Sequence, residues 1–307
     1  MRLFKATNID FMGKRKVWYT ISGLTLVIGL IGIIFKGMTF GIDFLGGTEI
    51  LVRFSQPVEI NEVRAAMDKI GFSRSEIKTF GDPKDILLRT PLQAEGNTIG
   101  DRIRSGLSAQ FENNKFTVLK EDKIGPKIGA ELRRNAIYAI IATLVIIMIY
   151  VGFRFKFIYG VAGVVAIFHD VIATLGVVVL CDGLSTHLNL EMSQNLMAAF
   201  LTLIGFSIND TVIVFDRIRE NIKIHRGETL FTIMNKSVNE TLSRTVITSG
   251  TVLLVLVVLI IFGGEVNRGF AFTFFIGTIF GTYSSIYVAS AIVLDYTIRK
   301  NIKTHEA

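Results

Sequence analysis

The sequence predicts a helical membrane protein: six transmembrane helices joined to one small α+β domain of ferredoxin-like βαββαβ order. Three observations lead there. Half of the 307 residues are hydrophobic and only 19% are charged, too apolar for an ordinary soluble domain. Six segments approach the roughly 20 apolar residues that a membrane span requires. One long polar stretch between the first two of them carries short strand and helix periodicities instead of a continuous apolar run.

Residues 1–16 form an N-terminal segment that ends in Lys14-Arg15-Lys16. The first span covers 17–36. It is too long for a signal-peptide core and lacks a small-residue cleavage site, so it is expected to stay as an anchor. The stretch Phe40-Gly-Ile-Asp-Phe-Leu-Gly-Gly-Thr48 follows, with Gly41, Asp43, Gly46 and Gly47. The spacing of a phosphate-cradling loop is absent here and elsewhere, so this reads as a tight turn into a strand, and no cofactor is expected.

The domain is assigned to 37–130. Ile50, Val52 and Phe54 alternate as a strand, and Val63, Ala66, Met67 and Ile70 recur at helical spacing before Gly71. Two short strands, 76–80 and 85–89, flank a Gly81-Asp82-Pro83 turn. Ile99, Ile103, Leu107 and Phe111 mark a second helix, and Phe116 and Val118 a last strand. This order is the split βαβ pattern. The domain has no His or Cys and only scattered acids, so it reads as a contact surface, not an enzyme. The single Cys181 rules out an internal disulfide and a cysteine-based metal cluster.

The other spans are expected at 131–153, 158–180, 195–215, 246–262 and 270–294. Between the fourth and fifth, the loop 216–245 carries Leu230, Ile233, Met234, Val238 and Leu242 at helical spacing. That is an amphipathic helix, either on the inner membrane surface or packed on its own protein. The net charge of +7 is not spread evenly. The α+β domain is balanced, while Lys and Arg crowd the segments at Lys14–Lys16, Arg154–Lys156, Arg217–Arg244 and Arg299–Lys303. The positive-inside rule then puts both termini, including 295–307, in the cytoplasm. Topology accounts for the basic charge, and no nucleic-acid partner is expected.

Asp210 stands out. It lies beside Asn209 within the fourth span, where a charge costs about 2.5–3.5 kcal/mol on the lenient insertion scale. Ser207 and Thr211 share its helix face. The fifth span begins with its own polar stripe, Thr241, Arg244, Thr245, Thr248 and Thr251. Helices four and five run antiparallel, so Asp210 and Arg244 fall at similar depth and are expected to pair. Desolvation favours the neutral acid and a nearby guanidinium favours the carboxylate, so such a pair would bind and release a proton as the helices move. His169 and Asp170 sit mid-span in the third helix, either extending a relay or bonding neighbouring helices. Gly277, Gly281, Ser285 and Ala289 recur every four residues, a stripe that admits a close helix neighbour.

Three of these features together resemble the SecF family of bacterial protein-export membrane proteins, within the resistance-nodulation-division superfamily. They are the Phe40–Thr48 motif, His169-Asp170, and the run from Gly205 through Asn209-Asp210-Thr211 to Asn221. Ile9-Asp10-Phe11 and Lys14-Arg15-Lys16 extend the likeness across the chain, while Phe206 stands where the family often has Tyr. The resemblance implies work with SecD, the SecYEG channel and YajC. It implies that the proton-motive force is used to draw unfolded secretory proteins across a lipid membrane. It matches Asp210 to a proton-pathway acid and Arg244 to its partner. Two alternatives remain. One is a small-molecule or lipid exporter of the same superfamily, although such exporters usually join two six-span halves. The other is an intramembrane aspartyl protease using Asp170 and Asp210, although its Gly-x-Gly-Asp signature is missing.

Overall fold

The computed structural model describes residues 7–91, 98–185 and 188–305. Parts of the expected N-terminal segment (1–6), α+β domain (92–97) and C-terminal segment (306–307) lie outside the described residues. In chain order the elements are α1 (Arg15–Lys36), α2 (Ile42–Leu45), β1 (Gly47–Phe54), α3 (Ile60–Lys69), β2 (Glu76–Phe80), β3 (Asp82–Thr90), α4 (Thr98–Gln110) and β4 (Phe116–Ile124). There follow α5 (Pro126–Arg154), α6 (Phe157–Cys181), α7 (Gln194–Ile224), α8 (Leu230–Phe262), α9 (Gly264–Ser284), a π-helical turn (Ser285–Ala289) and α10 (Ser290–His305). Six helical stretches among the described residues are long and apolar enough to cross a membrane, the last running through the π turn from Asn267 to Lys300. The chain divides into two compact units, one of 1–37, 139–180 and 198–307 and one of 38–138 and 181–197.

The second unit is built on a four-stranded sheet of order β2-β3-β1-β4, every neighbour antiparallel. That is the split βαβ arrangement. Ile50, Val52 and Phe54 bury one face of β1 against Val63, Ala66 and Met67 of α3 and Ile99, Ile103 and Leu107 of α4. Each such side chain contributes about 1.5–3 kcal/mol. The expected turn at Gly81-Asp82-Pro83 is shorter than predicted. Gly81, at φ +77, turns the chain alone, and β3 already starts at Asp82. Pro83 is tolerated because β1 pairs with β3 only from Asp85 onward.

The sheet's other face is charged. Glu76, Arg89 and Glu49 lie opposite one another on β2, β3 and β1, with Arg89 paired to both acids. Glu191, only 7% exposed, reaches this face from the segment before α7 and pairs with both Lys78 and Arg89. Burial holds the Lys78 ammonium below the ordinary lysine range.

In the first unit, close helix approaches depend on small residues. A Cβ added at Gly281 of α9 would lie 3.0 Å from the Ser207 Cβ of α7, and one at Gly277 would lie 2.6 Å from Leu203. The stripe read from the sequence therefore faces α7. Gly29 of α1 and Gly176 of α6 meet backbone to backbone.

The amphipathic stretch is not a separate helix. It forms the first turns of α8, which runs unbroken from Leu230 to Phe262. Ile233, Met234 and Val238 are buried, the last two in one core cluster with Val214, Phe215 and Ile218 of α7. Of the two readings, packing on its own protein is the one observed. Asn221 and Arg217 of α7 both donate to Glu240 of α8, at 2.7 and 2.6 Å, and fasten this pairing. Further along, Leu254, Val255, Val258 and Ile261 of α8 stay exposed, as a surface meeting lipid does.

The chain before α1 is seated on α8. Asn235 Oδ1 accepts from the backbone N–H of Phe11 (2.8 Å) and Met12 (3.1 Å). Asn239 Oδ1 accepts from that of Ile9 (2.8 Å), and both asparagines donate to the Ile9 carbonyl. Phe11 and Met12 are buried in the helical core.

Candidate functional site

Four helices bring polar side chains into the interior of the helical unit. Asp170 of α6, 0% exposed, accepts at Oδ2 from Ser207 Oγ of α7 (2.6 Å) and Ser284 Oγ of α9 (2.7 Å). Its Oδ1 lies 3.0 Å from Nδ1 of His169, whose ring packs against Tyr283 and Phe280. His169 Nε2 is buried with no protein partner. Asp170 thus ties three helices to one carboxyl group.

Asp210 of α7, 1% exposed, lies apart from that knot. Its Oδ2 accepts from Ser249 Oγ of α8 at 3.2 Å, and Ser249 in turn accepts from Thr282 Oγ1 of α9 at 2.7 Å. Asp210 Oδ1, Thr211 Oγ1 and Thr245 Oγ1 are buried without a protein partner.

Two contacts read from the sequence are not formed here. Ser207 serves Asp170 and not Asp210. Three residues along a helix means about 4.5 Å of rise and a turn of about 60°. That is enough for Ser207 to meet α6 while Asp210 meets α8. Second, no ion pair within 4 Å joins Asp210 to Arg244 among the described residues. The stripe on α8 is really two neighbouring stripes. Thr241, Thr245 and Ser249 are buried against the other helices, whereas Arg244 and Thr251 are exposed and Thr248 is partly so. Thr248 bonds its own helix, at the Arg244 carbonyl. Adjacent helix residues point about 100° apart, so turning Thr245 inward turns Arg244 outward. Asn209 is exposed for the same reason. Sequence reasoning missed Ser249, Thr282 and Ser284, because isolated hydroxyls in a span carry no distinguishing signal.

The motif after the first span belongs to the α+β unit. Gly41 bonds Met192 through its N–H at 3.0 Å, and the Met192 N–H returns to the Thr39 carbonyl at 2.8 Å. Asp43 Oδ2 accepts from the Gln194 N–H at 2.8 Å, an anion at the N-terminus of α7. Gly46, at φ +76, packs against Pro126, and Gly47, at φ +140, against the Thr90 carbonyl. Through Asp43 the motif caps the start of α7.

Among the described residues no cluster of His, Cys, Asp and Glu could hold a metal ion.

The family described as Protein export membrane protein SecD/SecF, C-terminal, matches residues 106–299, and the SecD/SecF GG motif matches 31–58. Protein translocase subunit SecF of Rhodothermus marinus is 40% identical over 299 residues, covering 97% of this chain and 96% of that protein. Its counterpart in Escherichia coli O157:H7 is 39% identical over 294 residues, covering 95% and 88%. The crystal structure of SecDF from Thermus thermophilus superposes with a TM-score of 0.83 at 37% identity, over 95% of this chain. SecDF in its super-membrane-facing form gives 0.72 at 36%. The chain spans 39% and 41% of those two longer chains.

Proposed function

The chain belongs to the SecF family of protein-export membrane proteins, and from that premise we propose that it pairs with SecD and uses the proton-motive force to promote late steps of export. Its channel partner is SecYEG, with YajC alongside, and its substrates are unfolded secretory proteins crossing the bacterial cytoplasmic membrane. Both termini lie in the cytoplasm and the α+β unit lies outside, a reading supported by the crowding of Lys and Arg into alternate loops. The chain makes and breaks no covalent bond in this role.

One observation carries the proposal. Asp210 is a buried acid whose only donor among the described residues is a neutral hydroxyl, with its second oxygen open. Its Oδ1 is free to take up a proton or other cation. Arg244 is the counter-charge that closes on Asp210 when α8 turns or shifts. Ser249 touches the acid, and Thr211 and Thr245, buried on the same two helices, with Thr248 and Asn209 beside them, are its supporting polar residues. A proton crossing a 100 mV potential delivers about 2.3 kcal/mol to such a movement.

Asp210→Asn keeps the size of the side chain and removes its titration. The variant is expected to assemble with SecD at normal membrane levels and to lose gradient-dependent stimulation of a secreted reporter. Wild-type export from the variant would falsify the assignment.

A further inference from the structure

The last span is not a plain α-helix. Ser285–Ala289 form a π turn, with Ser290 Oγ donating to the Ser285 carbonyl five residues back at 2.9 Å. Such turns hold one residue more than the α-helix around them and recur at functional sites. This one begins directly after Ser284, which bonds Asp170, and three residues after Thr282, which bonds Ser249 and through it Asp210. Both polar chains therefore end on the same helix, within one turn of the irregularity.

We propose that the Ser285–Ala289 turn is a register hinge in the last span, which lets α9 rotate so that Thr282 and Ser284 engage or leave the two polar chains together. The inference rests on Asp210 as the ion-handling acid and adds what that acid moves. Moving a one-residue excess along a helix turns the part it passes by about 100° and slides it about 1.5 Å. A rotation of that size takes both hydroxyls off their acceptors. Ser284, Ser285, Ala289, Ser290 and Ala291 are all fully buried and all small, so only Ile286, Tyr287 and Val288 of the turn must repack as it moves.

The chain carries its own reporter. Its single tryptophan, Trp18 of α1, stacks on Tyr287 of the π turn with ring centroids 4.0 Å apart. It also meets Tyr283 of α9 edge-on at 5.6 Å, and the Tyr283 hydroxyl donates to its carbonyl. Trp18 thus touches the hinge itself and the helix just before it.

The test is fluorine NMR of the full chain in lipid nanodiscs, with 5-fluorotryptophan at Trp18. Thr282→Val removes the hydroxyl at nearly constant volume, and Thr282→Ser keeps it. One lost hydrogen bond is expected to move the balance between two Trp18 environments about fivefold in Thr282→Val. Thr282→Ser should match wild type, and Asp210→Asn should move the balance in the same direction as Thr282→Val. A Trp18 signal unchanged in Thr282→Val overturns the hinge, whatever Asp210→Asn does to export. A shift in Thr282→Val with normal export from Asp210→Asn overturns the role of Asp210 and leaves the hinge standing.

Discussion

Ser249 Oγ donates to Asp210 Oδ2 across the α7–α8 interface at 3.2 Å, the only side-chain hydrogen bond to that acid among the described residues. A neutral donor holds the carboxyl in place without cancelling its charge. The same hydroxyl accepts from Thr282, so it also fixes α9.

Ser249→Ala therefore strands two partners. A buried group left without its partner costs about 1–3 kcal/mol. The variant is expected to insert and assemble, with gradient-driven export reduced several-fold, while Ser249→Thr keeps most of it. Export rates from inverted vesicles at matched subunit levels measure this, and equal rates for Ser249→Ala and wild type would contradict it.

Arg244→Met tests the counter-charge. Arg244 is exposed on α8, so its loss should leave the thermal stability of the purified chain within about 0.5 kcal/mol of wild type. Gradient-dependent export should nevertheless be lost, as in Asp210→Asn. Wild-type export would reduce Arg244 to an anchor at the membrane surface.

Asp170→Ala should behave differently. It leaves Ser207 Oγ, Ser284 Oγ and His169 Nδ1 without their acceptor inside the helical unit. The expected result is a loss of several kcal/mol in stability, seen as a lowered melting temperature in detergent, with poor assembly before any transport defect is measured. Asp170→Asn keeps one acceptor oxygen and should fall in between. Wild-type melting for Asp170→Ala would show that the knot holds nothing together.

Glu191→Gln addresses the α+β unit. Removing that charge leaves Lys78 and Arg89 facing a neutral amide, and breaking a buried pair from one side costs up to about 3–5 kcal/mol. Hydrogen exchange should accelerate in β2 and β3 and remain at the wild-type rate in α6. Unchanged exchange in β2 would mean that the clasp is ornamental.

The sequence carried the architecture well because its signals are local. Hydropathy alone marks six spans, and period-two alternation at Ile50, Val52 and Phe54 marks β1. Asp210 was visible because an acid in a span is rare. What was hidden depended on choices between nearly equal faces. Thr241-Thr245-Ser249 and Arg244-Thr248-Thr251 are both polar stripes one residue apart, and only the packing of α8 decides which turns inward. Glu191 and Arg89 are a hundred residues apart in sequence. Nothing local links them, just as nothing local links Asp43 to the start of α7.

The seat of the N-terminal segment on α8 also bears on how such a chain can diverge. Asn235 and Asn239 grip main-chain atoms of Ile9, Phe11 and Met12, which every residue type except proline supplies. The Ile9 side chain is exposed, whereas Phe11 and Met12 are buried and the grip needs the two amides themselves. Conservation in this region should therefore be stronger on the receiving helix than on the outward-facing tail positions it receives.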